Sequence, residues 1–223
     1  MQMPVVQIVD IVRRVARTRA KWLPWLTVAL VLFTLPPAYL SGREQGREAQ
    51  EEMERSRSAL EHRIIELIVE RNSGATIKDF ADFPAALLQT AEETQLDFRI
   101  ILAIADKESG FKPDAVGTSG EVGLMQLLPS TAELIVKRLG TTYTPPARGK
   151  EGKYASLGSL ADPRLNIRLG ATYLRWQIDR YGFNETALRA YNRHPDHARE
   201  VRPRDRYAED VSFRFLAFAH ALR

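Results

Sequence analysis

The chain has 223 residues with 32 Lys and Arg against 28 Asp and Glu, and five of those bases but only one acid, Asp10, fall in the first 41 positions. From Gly42 onward the charges balance, which excludes a nucleic-acid module whose folded part carries a basic face. An apolar content of 44% with 27% charged residues excludes wholesale disorder. The absence of cysteine excludes a disulfide scaffold, a thiol nucleophile, a Cys-ligated zinc and an acylated lipoprotein cysteine.

Trp22 to Leu40 is a run of 19 residues without charge. As a helix it would rise about 28 Å, close to the roughly 30 Å hydrocarbon core of a bilayer. Trp22, Trp25 and Tyr39 stand near its ends, where amphipathic rings favour the interface, and Pro36-Pro37 would end or kink the helix. Arg13, Arg14, Arg17, Arg19 and Lys21 precede it, so a single-pass anchor in the inner (cytoplasmic) membrane is expected over 22–40. A cytoplasmic segment 1–21 would precede it, and the following domain would lie on the outer, periplasmic side. A cleaved signal peptide with its core at Leu26–Leu35 and a buried core helix are the competing readings. Met3–Val15 could lie along the membrane as an amphipathic helix or fray as a tail.

Gly42 to Asn72 is dense in Glu and Arg, and a charged helical linker is expected over 41–74. Met53, Leu60 and Leu67 are seven apart, with Ile64 between, while Arg57 and Arg71 occupy other seam positions. A weak dimer through 43–72 is one reading; a helix laying its Leu/Ile stripe on the following domain is the other. That domain is expected over 75–223 and reads as short helices. Apolar spacing covers Phe83–Ala91 and Phe98–Glu108. Ser130 and Glu133 are spaced as a capping box, Asp162-Pro163 as a helix start, and Asn184 as the cap of ETALRAYN. A last helix is expected near Asp205–Leu222 with Tyr207, Val211, Phe215 and Phe218 on one side. Between Ala115 and Leu128 the glycines Gly117, Gly120 and Gly123 suggest a turn-rich β-hairpin, and Thr141–Ser159 reads as a surface loop.

Glu108 is the residue with chemical promise. On the helix through RIILAIADKESG it shares a face with Ile100, Ile101 and Ile104, so a carboxyl continues an apolar stripe. Desolvation and the negative end of the helix dipole would both raise its pKa, and an acid kept protonated near neutrality is what protonation of an ether-like oxygen requires. A Glu that frays out to solvent is the plain alternative.

Glu108-Ser109-Gly110-Phe111, Gly120-x-x-Gly123-Leu124-Met125-Gln126 and Pro129-x-Thr131-Ala132 follow in order. Asp162-Pro163…Asn166-Ile167-x-Leu169-Gly170-x-x-Tyr173-Leu174 comes next, then Ala187-Leu188-x-Ala190-Tyr191-Asn192 and Arg206-Tyr207-x-x-x-Val211. Together these blocks resemble the lytic transglycosylases with the SLT-type domain, over about Phe83–Val211. The resemblance implies a mainly α, lysozyme-like fold with a small β-hairpin region, peptidoglycan glycan strands as substrate, and neither metal nor cofactor. It makes Glu108 the catalytic acid, and Gln126, Tyr191, Asn192, Gly120, Gly123 and Met125 substrate-binding, with the Tyr191 hydroxyl near the acid. Read without the family, Tyr191 is equally a core aromatic, Gln126 a turn residue and Met125 core.

The implied reaction cleaves the MurNAc-β-1,4-GlcNAc bond and leaves a 1,6-anhydro-muramoyl end, with Glu108 as the single acid and base. A muramidase on the same fold, with Asp114 or Glu121 positioning water, and a non-catalytic, membrane-tethered glycan-binding protein are the alternatives. Three positions depart from the family pattern. Gly117 stands where Ser is frequent, with Ser119 nearby, and Leu128 stands where a second Met is usual. Arg193-His194-Pro195-Asp196 follows the AYN block in place of x-Gly. His194 and His197 lack a third ligand, so no metal site is expected there.

Overall fold

The structure, a computed structural model, describes residues 37–75, 77–149, 153–193 and 206–223. Most of the expected anchor (22–36), the Met3–Val15 stretch and the His194/His197 pair lie outside the described residues. No helix among the described residues is long and apolar enough to cross a membrane. The chain divides into two compact units, 1–57 and 58–223.

Helix α1 spans Pro37–Arg71. Pro37, the second of the two prolines expected to end the apolar run, is thus the first residue of α1. A proline is tolerated in a first turn because its missing N–H has no partner to lose there. Within the first unit, side chains from Gln45 to Arg57 are exposed, Met53 at 72%. Within the second unit, Ile64 and Ile68 are fully buried, Ile65 and Leu67 nearly so, and Leu60 packs on the same core. The Leu/Ile stripe thus belongs to the domain, and the compact unit starts at Ser58 rather than at 75.

The domain continues through α2 (Phe83–Thr94), α3 (Phe98–Ser109), α4 (Pro129–Leu139), α5 (Pro163–Tyr181), α6 (Glu185–Asn192) and α7 (Tyr207–Ala221). Local signals set most of these starts. The Asp162 carboxylate accepts from Arg164 N ahead of α5, with Pro163 at the first helical position. Asn184 Oδ1 accepts from Thr186 N and Ala187 N ahead of α6. The expected capping box of Ser130 and Glu133 does not form. Extended Leu128 is the N-cap and Pro129 opens α4, so Ser130 already lies inside the helix and has no cap to make.

Helix α3 is the centre of the domain. Ile100 to Ala105 are six consecutive buried residues, so the helix is enclosed on every side rather than along one stripe. It packs chiefly against α7 and also against α2 and α5, while α2 and α6 pack on α5. A second, smaller cluster (Val122, Leu127, Ala132, Ile135, Leu160, Leu169) sits under α4.

The small antiparallel sheet is displaced from its expected place. Strands β1 (Ala147–Arg148) and β2 (Tyr154–Ser156) lie inside the segment read as a plain loop. The glycine-rich segment makes only isolated bridges, Val122 with Val116 and with Leu127. Its glycines stand too close together to leave a ladder between the turns. The sheet nevertheless supports that segment, since Tyr154 Oη donates to Gly120 O at 2.9 Å.

Candidate active site

Glu108 lies in the last turn of α3, which ends at left-handed Gly110, φ 59°. The residue is half-buried, open enough to be reached and enclosed enough to feel the loss of water. Burial raises its pKa above the usual carboxylate range. A hydrogen bond from Tyr207 and the charge of Lys107 oppose the rise, and the nearby Glu121 carboxylate adds to it. The net direction is the one expected from the apolar stripe.

The group that touches Glu108 is Tyr207, at the start of α7, whose Oη donates to Glu108 Oε1 at 2.5 Å. Periodicity alone puts Tyr207 on an apolar helix face. Its place in the last block of the family pattern was the available signal. Tyr191 Oη donates to Met125 O at 2.8 Å. It still stands within the electrostatic reach of Glu108, and burial first, then that charge, keeps both phenols protonated far above their usual range.

The loop Ala115–Leu127, joined to this region through Tyr191 and Ser109, is held by one buried amide. Asn166 on α5 is fully buried; its Oδ1 accepts from Met125 N at 2.8 Å, and its Nδ2 donates to Val122 O at 3.0 Å and Leu160 O at 2.9 Å. Gly123 is required here because, at φ 87°, a Cβ would stand 2.1 Å from Asn166 Nδ2 and 2.4 Å from Leu160 O. Ser109 Oγ lies 2.8 Å from Leu124 O and ties the loop to the residue after Glu108.

Of the other candidates, Met125 is fully buried and packs on Gly170, so its backbone rather than its side chain shapes the site. Gln126 is a strained left-handed residue, φ 46°, whose Nε2 donates to Ala115 O at 3.1 Å and Gly123 O at 2.8 Å. Phe111, φ 60°, and Gln95, φ 53°, share that conformation. Each costs about 1–2 kcal/mol, and such strain persists where the surroundings over-determine the backbone. Gly120, φ 92°, is held by Tyr154 as above. Asn192 is exposed at the end of α6, and no hydrogen bond among the described residues ties it to Glu108. Asp114 is exposed.

The turn that carries the acid is braced from two sides. Asp106, with its side chain 9% exposed, meets Arg71 of α1 at 2.7 Å and Arg214 Nε of α7 at 3.0 Å. Lys107 meets Asp210 of α7 at 2.5 Å. No group of His, Asp and Glu among the described residues could hold a metal ion. An apolar hollow of about 250 Å³, lined by Ile100, Leu174, Ile178, Phe183, Leu188 and Phe215, lies at the other end of α3. It takes no part in this site.

Comparison with known proteins accords with this geometry. The family model described as "Transglycosylase SLT domain" matches residues 86–211. The chain is 35% identical over 99 residues to the soluble lytic murein transglycosylase of Escherichia coli, covering 44% of this chain and 14% of that protein. It is 40% identical over 80 residues to an endo-type membrane-bound lytic murein transglycosylase A of Klebsiella pneumoniae, covering 35% of this chain and 34% of that one. Among solved structures, an inactive Glu-to-Gln variant of the lytic transglycosylase Slt from Pseudomonas aeruginosa superposes with a TM-score of 0.50 at 28% identity. That match covers 62% of this chain and 24% of the other. The chain therefore spans only a minor part of the length of these relatives.

Proposed function

The chain belongs to the Transglycosylase SLT domain family, and from that membership we propose that it is a peptidoglycan lytic transglycosylase acting through Glu108. The carrying observation is a carboxyl whose pKa is raised by burial and which is held by the Tyr207 hydroxyl at 2.5 Å. Protonated Glu108 donates to the glycosidic oxygen between the muramoyl and glucosaminyl sugars, and the C1–O bond breaks with its electron pair on the leaving oxygen. The substrate's own N-acetyl oxygen shares the positive charge at C1, the substrate-assisted route that needs no second carboxylate nucleophile. Ionised Glu108 then takes the proton of the muramoyl C6 hydroxyl as its oxygen closes on C1. The 1,6-anhydro ring forms, and the acid returns to its starting state. Tyr207 steadies the ionised state between the two transfers.

The relatives support this reading by their names, and one of them is inactive as a Glu-to-Gln variant. The test is turnover of purified sacculi by the full chain and by its Glu108→Gln variant. Soluble muropeptides lacking one water are expected from the first and none from the second. Products that have gained water would replace transglycosylation by hydrolysis, and cleavage by the variant would remove Glu108 from the mechanism.

Residues 22–40 are part of the same proposal as the tether that holds the domain at the outer face of the inner membrane. The uncharged run and the five bases before it support this, and fractionation before and after deletion of 1–36 tests it. Self-association through 43–72 would have Met53 as the exposed member of the heptad series, because Ile64, Leu67 and Ile68 are occupied in the core. Cross-linking of the full chain reads it directly.

A further inference from the structure

Arg71 and Asn72 precede residue 86, where the family match begins, yet both reach the turn that carries the acid. Arg71 ends α1, and its Nη1 donates to Asp106 Oδ2 at 2.7 Å. Asp106 lies two positions before Glu108, on the far side of the same helical turn. Asn72, buried just past the helix, donates from Nδ2 to Phe111 O at 2.8 Å, three positions after Glu108. The segment from Asp106 to Phe111 is thus held at both ends by two adjacent side chains.

The two grips meet across α7. The Arg71 guanidinium stands 4.7 Å from the centre of the Phe218 ring, and Phe218 meets Phe111 edge to face with centroids 6.2 Å apart. Arg214 Nε, also of α7, lies 3.0 Å from Asp106 Oδ2. Arg71 therefore touches α3, which bears Glu108, and α7, which begins with Tyr207, the donor to that carboxyl. Asn72 acts on the backbone instead. Phe111 is left-handed, φ 60°, a conformation that a residue with a Cβ disfavours, and the bond from Asn72 falls on its carbonyl. Asn72 Oδ1 accepts from Gly74 N at 3.2 Å, which fixes the way the amide faces. Plain packing would not call for these groups. A largely desolvated ion pair adds little net stability over apolar side chains of similar size, whereas a guanidinium and a carboxylate meet in a set direction.

We propose that Arg71 and Asn72 are positioning residues for Glu108: Arg71 through Asp106, and Asn72 through Phe111, set the orientation of the turn from which the carboxyl meets Tyr207 and the glycosidic oxygen. The catalytic unit of this chain thereby reaches back to the end of α1. The inference rests on the proposed role of Glu108 and adds two residues that touch neither the carboxyl nor the glycan.

The experiment compares kcat and KM on soluble, uncross-linked glycan strands for the full chain and its Arg71→Met, Arg71→Lys, Asn72→Asp and Ile64→Val variants, each well below its melting temperature. Arg71→Met keeps the length of the side chain and removes its charge and donors. Asn72→Asp keeps the acceptor for Gly74 N and puts an oxygen where the donor to Phe111 stood. Both are expected to lower kcat roughly tenfold with KM within about twofold, the pattern of a misaimed reacting group rather than of lost binding. Arg71→Lys, which can still meet Asp106, is expected to regain most of that loss. Ile64→Val trims α1 where it is fully buried, and is expected to melt lower while keeping kcat, which separates aim from stability. An unchanged kcat in Arg71→Met or in Asn72→Asp overturns the proposal, as does an equal loss in Ile64→Val. If Asn72→Asp does not fold, Arg71→Met decides alone. Should the wild-type chain release no muropeptides, the proposed function fails, and the 13C resonance of the Glu108 carboxyl decides this inference. It should move in Arg71→Met and stay in Ile64→Val, and a resonance that stays in both overturns the proposal.

Discussion

Replacing Tyr207 by Phe keeps a buried ring at the start of α7 and deletes one hydroxyl, the donor 2.5 Å from Glu108 Oε1. A bond to an ionised carboxylate is worth about 1.5–3 kcal/mol, and one to the neutral acid about 0.5–1.5. The difference, about 1–1.5 kcal/mol, favours the charged form and corresponds to roughly one pH unit. Losing the bond therefore raises the pKa of Glu108 further, and the alkaline limb of the cleavage profile should move up by that amount. The plateau rate should fall on the order of tenfold, because the carboxyl loses the contact that aims it and steadies its ionised state. The assay is initial-rate release of soluble muropeptides from sacculi across pH, with thermal melting as the control for folding. The phenol itself stays protonated throughout, so its titration cannot mimic the effect. A midpoint that falls or stays in place would refute the reasoning, because it would mean that Tyr207 does not favour the ionised acid.

Glu108→Gln should melt higher than the wild type at neutral and alkaline pH. The folded-state pKa of Glu108 lies above its unfolded value, so burial costs nothing below the unfolded value, and stability is lost as pH rises through the folded one. The two melting curves should converge near pH 4, and a constant difference across pH would contradict the assignment. Asn166→Ala leaves Met125 N, Val122 O and Leu160 O without their partner and should cost roughly 3–5 kcal/mol in denaturant unfolding. Gly170→Ala brings a Cβ to 2.4 Å from Met125 Sδ and 2.8 Å from its Cβ, for about 1–3 kcal/mol. A fragment beginning at Gly74 discards buried Ile64, Leu67 and Ile68, each worth about 1.5–3 kcal/mol. It should fail to melt cooperatively, whereas the full chain should do so.

The helices were legible because their signals are local. Asp162-Pro163 and Asn184 cap where expected, and the spacing of isoleucines ahead of Glu108 places an acid on an apolar helix. What stayed hidden depends on partners distant in the chain. Tyr207 reaches a carboxyl 99 positions earlier, and periodicity ranks it with its apolar neighbours. Tyr191 was placed near the acid by resemblance, but which oxygen its hydroxyl finds is decided by where Asn166 pins the loop. The two short strands stayed hidden because they lie in a segment with no alternating pattern. The capping box failed for a local reason, since Pro129 starts the helix before Ser130 can cap it. The burial of Ile64, Leu67 and Ile68 was not legible, because a helix this rich in charge reads as a spacer until its apolar positions find a partner surface.

The last turns of α1 carry a mechanical corollary. Arg71 grips Asp106 two residues before the acid and stacks over the Phe218 ring, while Asn72 donates to Phe111 O three residues after it. The C-terminal turns of α1 and the turn that bears Glu108 are thus tied directly to one another, without an intervening loop, so a displacement of those turns is passed on to the Glu108 carboxyl.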